Sequence, residues 1–401
     1  MNFDDVAKLQ ETKINPNSKW IYAADFNIKH KNSKLKNTDR VDVEIEDLKY
    51  ILDQGGNPII LAHKGRFKKG DTEDLDFIVP YLSSKLESKV EYFPENSTYE
   101  AVQFVQGLKP GTVAIMGNTR KNEGEEKDDP FLAAEFARLG QNVAVGGFGK
   151  AHRIHASNVG ILRYLPGYAT KSQLKEMKLL EPWAGKDPES YSVAILGGIK
   201  KEKILTGLAG FLETYDAIIP GGIVLNTILH VQGFPIGKSL IKDSGKTYEK
   251  QVAEALRGEN KHKIHIPEKV VIAKKQDDKY LNPHTINPKN TQIPKDYMIV
   301  DFILPNTAIQ SLDQMIQERG RGILAGTPGI YNKGFKQATD PVLASMRKNL
   351  ENCAVLGGDT AAEVNYEGVS STGGGSALYF IVNATTPVFE ALKTNKRKLH
   401  K

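Results

Sequence analysis

The sequence predicts an α/β fold: two domains, each a mainly parallel sheet flanked by helices. Three observations carry this. Short apolar, β-rich runs alternate with helical patterns along the chain, several runs stop directly in Gly or a polar motif, and 401 residues exceed one typical core but suit two. Ligands of such sheets bind at the carboxyl ends of strands, where these motifs fall, so the motifs mark candidate sites.

The expected strands come in order. The first half offers the runs in WIYAADF, NPIILAH, KVEYF, GTVAIMG and NVAVGG, and the second half those in YSVAILGG, YDAIIPGG, KVVIA, RGILAG and NCAVLGG. Strands covered on both faces read as near-continuous apolar runs, as these do. Between the halves, Leu174, Met177, Leu179 and Leu180 fall at helical spacing, and Pro182 and Gly185 end the pattern. This predicts a helix connecting the domains. The polar stretch from Lys274 to Lys295 is dense in turn signals and reads as a long surface loop.

Hydrophobic residues at 40% and charged residues at 25% are ordinary for a soluble globular chain. No run of eighteen apolar residues occurs, and MNFDDVAKLQ lacks a signal peptide's basic-then-apolar layout, so a cytoplasmic location and no membrane partner are expected. The lone Cys353 has no internal disulfide partner. Its place in apolar CAVL predicts a buried strand residue, not a nucleophile. The net charge of +6 comes from dispersed Lys and the tail TNKRKLHK, which reads as solvated. Nucleic-acid binding would need clustered basic faces with interleaved aromatics, which the sequence lacks.

The motifs divide by chemistry. The first half carries ADFN with Asp25 and Asn27, the isolated Arg40, AHKGR with His63 and Arg66, NTR with Arg120, and AHRIHAS with His152, Arg153 and His155. An Arg fork grips phosphate or carboxylate through two parallel hydrogen bonds, so four such residues at strand ends suit a small multiply charged acid. A structural hydrogen-bonding role stands beside ligand contact for His152 and His155. Two His three residues apart share a helix face, but no third ligand of matching type is near, which argues against zinc.

The second half carries LGGIKKEK with Gly197, Gly198, Lys200 and Lys203, PGGI with Gly221 and Gly222, GGDT with Gly357, Gly358, Asp359 and Thr360, and SSTGGG. Gly-rich turns let backbone amides approach phosphate, and helix N-termini favour negative charge. Asp359 is suited to Mg²⁺. Neither a P-loop G-x-x-x-x-G-K-[ST] nor a protein-kinase H-R-D and D-F-G set occurs.

In this order the motifs resemble the phosphoglycerate kinase family across essentially the whole chain. ADFN is similar to the family's R-V-D-F-N, LAHKGR to S-H-x-G-R, GNTR to E-N-x-R, and FGKAHRIHAS to A-F-G-x-A-H-R-x-H-A-S. AILGGIKKEKI is similar to x-L-G-G-A-K-V-x-D-K-I, and LGGDTAAE with SSTGGG to G-G-G-D-T-A-A with S-T-G-G-G. The resemblance implies two Rossmann-like domains joined by a hinge helix. Residues 1–170 would bind 3-phosphoglycerate, with 388–401 returning to them; 171–190 would form the interdomain helix and hinge, and 191–387 would bind Mg-ADP or Mg-ATP.

By motif, Asp25, Asn27, Arg40, His63, Arg66, Arg120 and Arg153 would hold the acid. Gly197, Gly198, Lys200, Lys203, Gly221, Gly222, Asn332, Gly357, Gly358, Asp359 and Thr360 would serve the nucleotide, with Asp359 on Mg²⁺. Arg40, Lys200 and Lys203 would stabilise the transferring phosphoryl group. A monomer is the family's usual state.

The chain also departs from the family. W-N-G-P-x-G-x-F-E becomes LAGTPGIYN, which places Ala325 at the Asn and Asn332 at the Glu that meets the ribose. The stretch before A-H-R shortens to GGFG, Lys203 lies three and not four places after Lys200, and E-N-x-R-F becomes GNTRK. The expectation is therefore a phosphoglycerate kinase, with a diverged paralogue acting on a related carboxylate, or a non-catalytic ligand-binding relative, as the alternatives.

Overall fold

The computed structural model describes all residues except 32, 33, 37, 400 and 401; the last two belong to the expected returning segment. The chain divides into two compact units, one of residues 1–179 together with the segment from Thr385 onward, the other of Leu180–Ala384.

The first unit is built on six strands: β1 (Lys19–Ala23), β2 (Asn57–Leu61), β3 (Val90–Phe93), β4 (Val113–Met116), β5 (Asn142–Val145) and β6 (Gly167–Ala169). They pair in parallel in the order β3-β4-β2-β1-β5-β6. The central β1 is buried from Trp20 to Ala23, as its unbroken apolar run requires. Helices cover the sheet, and their starts are chemically marked. Thr98 accepts from the Ala101 N–H to cap Tyr99–Gln106, and Asp129 accepts from Leu132 ahead of Pro130 in Pro130–Ala137. The helix Lys171–Leu180 is capped from a distance: buried Asp47 accepts from the N–H groups of Lys171 at 2.9 Å and Ser172 at 3.0 Å.

The C-terminal helix Pro387–Leu399 also belongs here. Its buried Asn395 accepts from the Gly167 N–H at 2.7 Å and donates to the carbonyls of Leu162 and Leu165, so one amide satisfies the backbone at the start of edge strand β6. Phe389 meets Phe3 edge to face at 6.0 Å, and Lys396 donates to the Asp4 carbonyl.

In the second unit, β7 (Ser192–Leu196), β8 (Ala217–Pro220), β12 (Arg321–Ala325), β13 (Cys353–Leu356) and β14 (Val369–Ser371) form a parallel sheet in the order β8-β7-β12-β13-β14. A separate antiparallel sheet, ordered β10-β9-β11, holds β9 (Val270–Gln276), β10 (Lys279–Ile286) and β11 (Tyr297–Phe302). This corrects two expectations. KVVIA is not a parallel strand, and half of Lys274–Lys295 is strand and not loop. Asp277 and Asp278 form a two-residue hairpin turn, with Asp277 at φ 52°, that returns the chain antiparallel where a parallel strand needs a long crossover.

The expected connection over 171–190 is helical to Leu180, followed by a short turn, Glu181–Trp183. Beyond the boundary the chain is fixed to the second unit. Buried Trp183 donates through Nε1 to the Asn352 carbonyl at 2.8 Å, and Arg321 donates to the Gly185 carbonyl at 2.6 Å while lying 4.7 Å from the Tyr215 ring centre. Cys353 is a buried strand residue whose thiol burial pushes up to about 12, which agrees with the sequence reading. Among the described residues no helix is long and apolar enough to cross a membrane.

Candidate functional site

Four of the first unit's motifs follow four adjacent strands. The neighbours β4, β2, β1 and β5 end at Met116, Leu61, Ala23 and Val145, and Arg120, His63 with Arg66, Asp25 with Asn27, and Arg153 follow in turn. Parallel strands present their carboxyl ends on one side, so the topology delivers these side chains to one edge of the sheet.

Asp25 is the centre of the set. It is buried, accepts from Arg40 Nη1 at 3.0 Å through Oδ2, and faces His63 Nε2 at 4.0 Å through Oδ1. A Cβ on Gly149 would stand 2.4 Å from its Oδ2, so only glycine lets the chain pass here. Asn27 accepts from the Gly65 N–H at 3.4 Å, and Arg120 donates to the Gly65 carbonyl at 2.6 Å. Arg66 and Arg153 are half-buried; the Arg66 N–H donates to Asp71.

Burial and the neighbouring charges of Arg120, Lys150 and Arg153 hold the His63 imidazolium far below its ordinary pKa, so the ring is neutral at pH 7. Burial and Arg153 lower His152 to about 3, and burial with Arg120 and Arg153 lowers His155 to about 3. The cations are partly countered: Arg40 is held by Asp25, and Arg120 lies 3.6 Å from Glu126 with Glu125 and Asp25 also bearing on it. His155 also lies 3.7 Å from buried Glu125, which accepts from the Ser157 side chain at 2.6 Å and backbone at 3.0 Å.

The sequence reading passed over two residues of this site. Lys150 is buried, its charge bears on His63, and desolvation lowers its pKa; it was legible in FGKAHR. Asn118 joins two motif loops, accepting from the N–H groups of Lys64 (3.2 Å) and Arg120 (3.0 Å) and donating to the carbonyls of Lys64 (2.6 Å) and Glu73 (2.7 Å). No local pattern announces that role, because its partners lie up to 54 residues away.

In the second unit three Gly-bearing turns interlock behind a cavity of about 350 Å³. The N–H groups of Gly197, Gly198, Gly221 and Gly222 donate to the carbonyls of Ala325, Thr327, Leu196 and Pro328. This corrects the physical basis on which these four were assigned to phosphate: their amides are committed within the fold. What the glycines supply is close approach, since a Cβ on Gly222 would lie 2.1 Å from the Gly198 carbonyl oxygen.

Gly198, Gly222 and Asn332 line the cavity, whereas Lys200, Lys203 and Gly357 to Thr360 lie outside its lining. Its walls include Leu225, Leu240, Tyr280, Met298, Val300 and Ile330. Asp301 also borders it, but that carboxylate accepts from the N–H groups of Phe302, Gln337 and Ala338, and burial raises its pKa to about 6. Lys203 is half-buried, and burial followed by the charge of Lys200 lowers its ammonium to about 8. Lys200 is exposed, as is Asp359 in the first turn of the helix Gly358–Val364.

Comparison with known proteins decides between family and coincidence. The family model described as phosphoglycerate kinase matches residues 12–383. The chain belongs to the phosphoglycerate kinase family. It is 30% identical over 393 residues to a phosphoglycerate kinase of Moorella thermoacetica, covering 96% of this chain and 98% of that protein. The corresponding protein of Thermus thermophilus is 32% identical over 383 residues, covering 92% and 95%. Among solved structures, phosphoglycerate kinase from Coxiella burnetii superposes with a TM-score of 0.73 at 24% identity, covering 97% and 99% of the two chains. The enzyme from Pyrococcus horikoshii gives 0.74 at 23% identity, covering 98% and 100%. These two likenesses establish the two-domain α/β fold of the family for this chain.

Proposed function

We propose that the chain is a phosphoglycerate kinase. It catalyses reversible phosphoryl transfer between 1,3-bisphosphoglycerate and Mg-ADP, giving 3-phosphoglycerate and ATP, a phosphotransferase reaction with a carboxyl group as acceptor. The observation that carries this reading is the set at the ends of four adjacent strands, whose Asp25, Asn27, His63, Arg66, Arg120 and Arg153 agree with the family motifs and to which Asp25 ties Arg40.

In this reading the first unit holds the acid and the second the nucleotide. Arg120, Arg153, Arg66 and neutral His63 bind phosphate and carboxylate oxygens, and Asp25 and Asn27 accept from the substrate hydroxyl. Arg40 is held by Asp25 at 3.0 Å with its remaining donors available for the transferring group. Phosphoryl transfer depends on positioning and charge stabilisation, a role to which the family resemblance assigns Arg40, Lys200 and Lys203.

The cavity in front of the glycine turns receives the nucleoside, and Gly357, Gly358 and Thr360, in the motif that resembles the family's G-G-G-D-T-A-A, serve its phosphates. Mg²⁺ is usually held by one or two carboxylates together with substrate phosphates, and Asp359 fits that demand as an exposed carboxylate. When bound, the ion neutralises phosphate charge. The enzyme acts as a cytoplasmic monomer in glycolysis.

The test couples ATP, Mg²⁺ and 3-phosphoglycerate with purified protein to reductive consumption of 1,3-bisphosphoglycerate. Turnover is expected, with Asp359→Ala strongly impaired. A folded wild-type protein that binds both ligands and gives no product overturns the reading.

A further inference from the structure

The family places a carboxylate on the ribose at the position of Asn332, and this chain has an amide there. Its side chain is exposed, and a neutral carboxamide is a weaker acceptor than a carboxylate. The structure brings a different carboxylate to the same place. Glu363, in the helix Gly358–Val364, accepts through Oε1 from the Asn332 backbone N–H at 2.9 Å, and both residues line the cavity.

We infer that Glu363 has taken over the ribose-gripping role from position 332, reaching the nucleotide from the helix after β13. The inference rests on the nucleotide-binding reading of this cavity. The bond to Asn332 fixes one carboxylate oxygen and orients the other. The half-buried carboxylate then accepts from a hydroxyl of the ribose cis-diol. The other acid at the cavity, Asp301, is not a competitor, because three backbone N–H groups already occupy its oxygens. The cavity's volume of about 350 Å³ lies in the range of small-ligand sites, about 300–1,000 Å³.

A carboxylate at this point makes the site sensitive to a missing hydroxyl. An ionised acceptor loses more than a neutral one when its donor is removed, so Glu363 sets a preference for ribonucleotides. The determinant sits on the helix that also bears Asp359 and Thr360.

The experiment compares ADP with 2′-deoxy-ADP and 3′-deoxy-ADP, by steady-state kinetics and by calorimetric binding, in wild type, Glu363→Ala, Glu363→Gln and the double variant Glu363→Ala, Asn332→Glu. Wild type is expected to favour ADP over at least one deoxy analogue by about tenfold or more, as a charge-assisted hydrogen bond implies. Glu363→Ala brings that ratio close to one and raises KM for ADP, Glu363→Gln keeps an intermediate ratio, and the double variant regains discrimination from the family's own position. A folded Glu363→Ala protein that keeps the wild-type ratio overturns the inference while turnover leaves the kinase reading intact. Conversely, calorimetric discrimination lost in Glu363→Ala sustains the inference even if wild type shows no turnover. Wild type that binds no adenine nucleotide sinks both.

Discussion

Arg40 Nη1 donates to Asp25 Oδ2 at 3.0 Å, and the two partners differ sharply in exposure: the arginine side chain is 43% exposed and the aspartate 5%. Arg40 is fixed in direction by that buried acid, and Arg40→Ala leaves the Asp25 carboxylate without this partner, for an expected loss of about 1–3 kcal/mol of unfolding free energy. The same change should lower kcat/KM by about 100-fold or more, the size seen when one preorganised donor is removed. Denaturant unfolding and the coupled assay, run on one preparation, check both halves. A large loss of stability with normal turnover would contradict the assigned role.

Asn118 presents the opposite balance. It is fully buried and makes four hydrogen bonds that join the loop of His63 and Arg66 to that of Arg120. Asn118→Ala leaves several buried backbone groups unpaired, for a cost of about 2–4 kcal/mol. It should also raise KM for 3-phosphoglycerate, because the clamp residues lose their common brace. Urea midpoints and KM values report the two effects separately.

Lys203 yields a proton-linkage prediction. Its ammonium titrates near 8 because it is desolvated and close to Lys200. Nucleotide phosphates favour the charged form and raise that value, so ADP binding at pH 8 should take up about half a proton per site. Calorimetry in buffers of different ionisation enthalpy measures the uptake, and Lys203→Met should abolish the Lys203 share. Equal apparent enthalpies in all buffers for the wild type would remove Lys203 from the phosphate site.

Glu44 predicts a pH dependence of stability. It is buried beside Tyr22 and Gly147, and desolvation lifts its pKa from 4.5 to about 7. Between these values the folded state binds more protons than the unfolded state, so the Glu44 contribution falls as pH rises from about 4.5 to 7 and is level above that. The shift corresponds to a loss of about 3 kcal/mol. Glu44→Gln, which cannot ionise, should flatten the stability profile in this window. An unchanged slope would show that the carboxyl ionises freely in the folded protein.

The sequence exposed the parallel sheets more fully than the rest. Trp20–Ala23, Ser192–Leu196 and Cys353–Leu356 announce themselves as unbroken apolar runs because both faces are covered. The antiparallel sheet was hidden because β10 is largely exposed, so its polar residues read as loop, although Asp277–Asp278 is a legible two-residue turn. In the first unit, Asp25, Arg40 and His63 could be named from motif alone and stand in direct contact. In the second, Gly197 and Gly222 were marked for phosphate approach, but sequence does not distinguish an amide aimed at phosphate from one committed to a neighbouring turn. Glu363 had no motif at all, and only the path of its helix past Asn332 reveals it.

The clasp that Asn395 makes on Gly167, Leu162 and Leu165 has a consequence for biosynthesis. The second unit is one uninterrupted stretch and has all its residues once Ala384 has left the ribosome. The first must keep its edge strand β6 without that clasp through more than two hundred further rounds of elongation, until the final helix emerges. The first unit, begun before the second in translation, is thus completed after it, and the nascent chain carries the start of β6 unclasped for more than two hundred residues of synthesis.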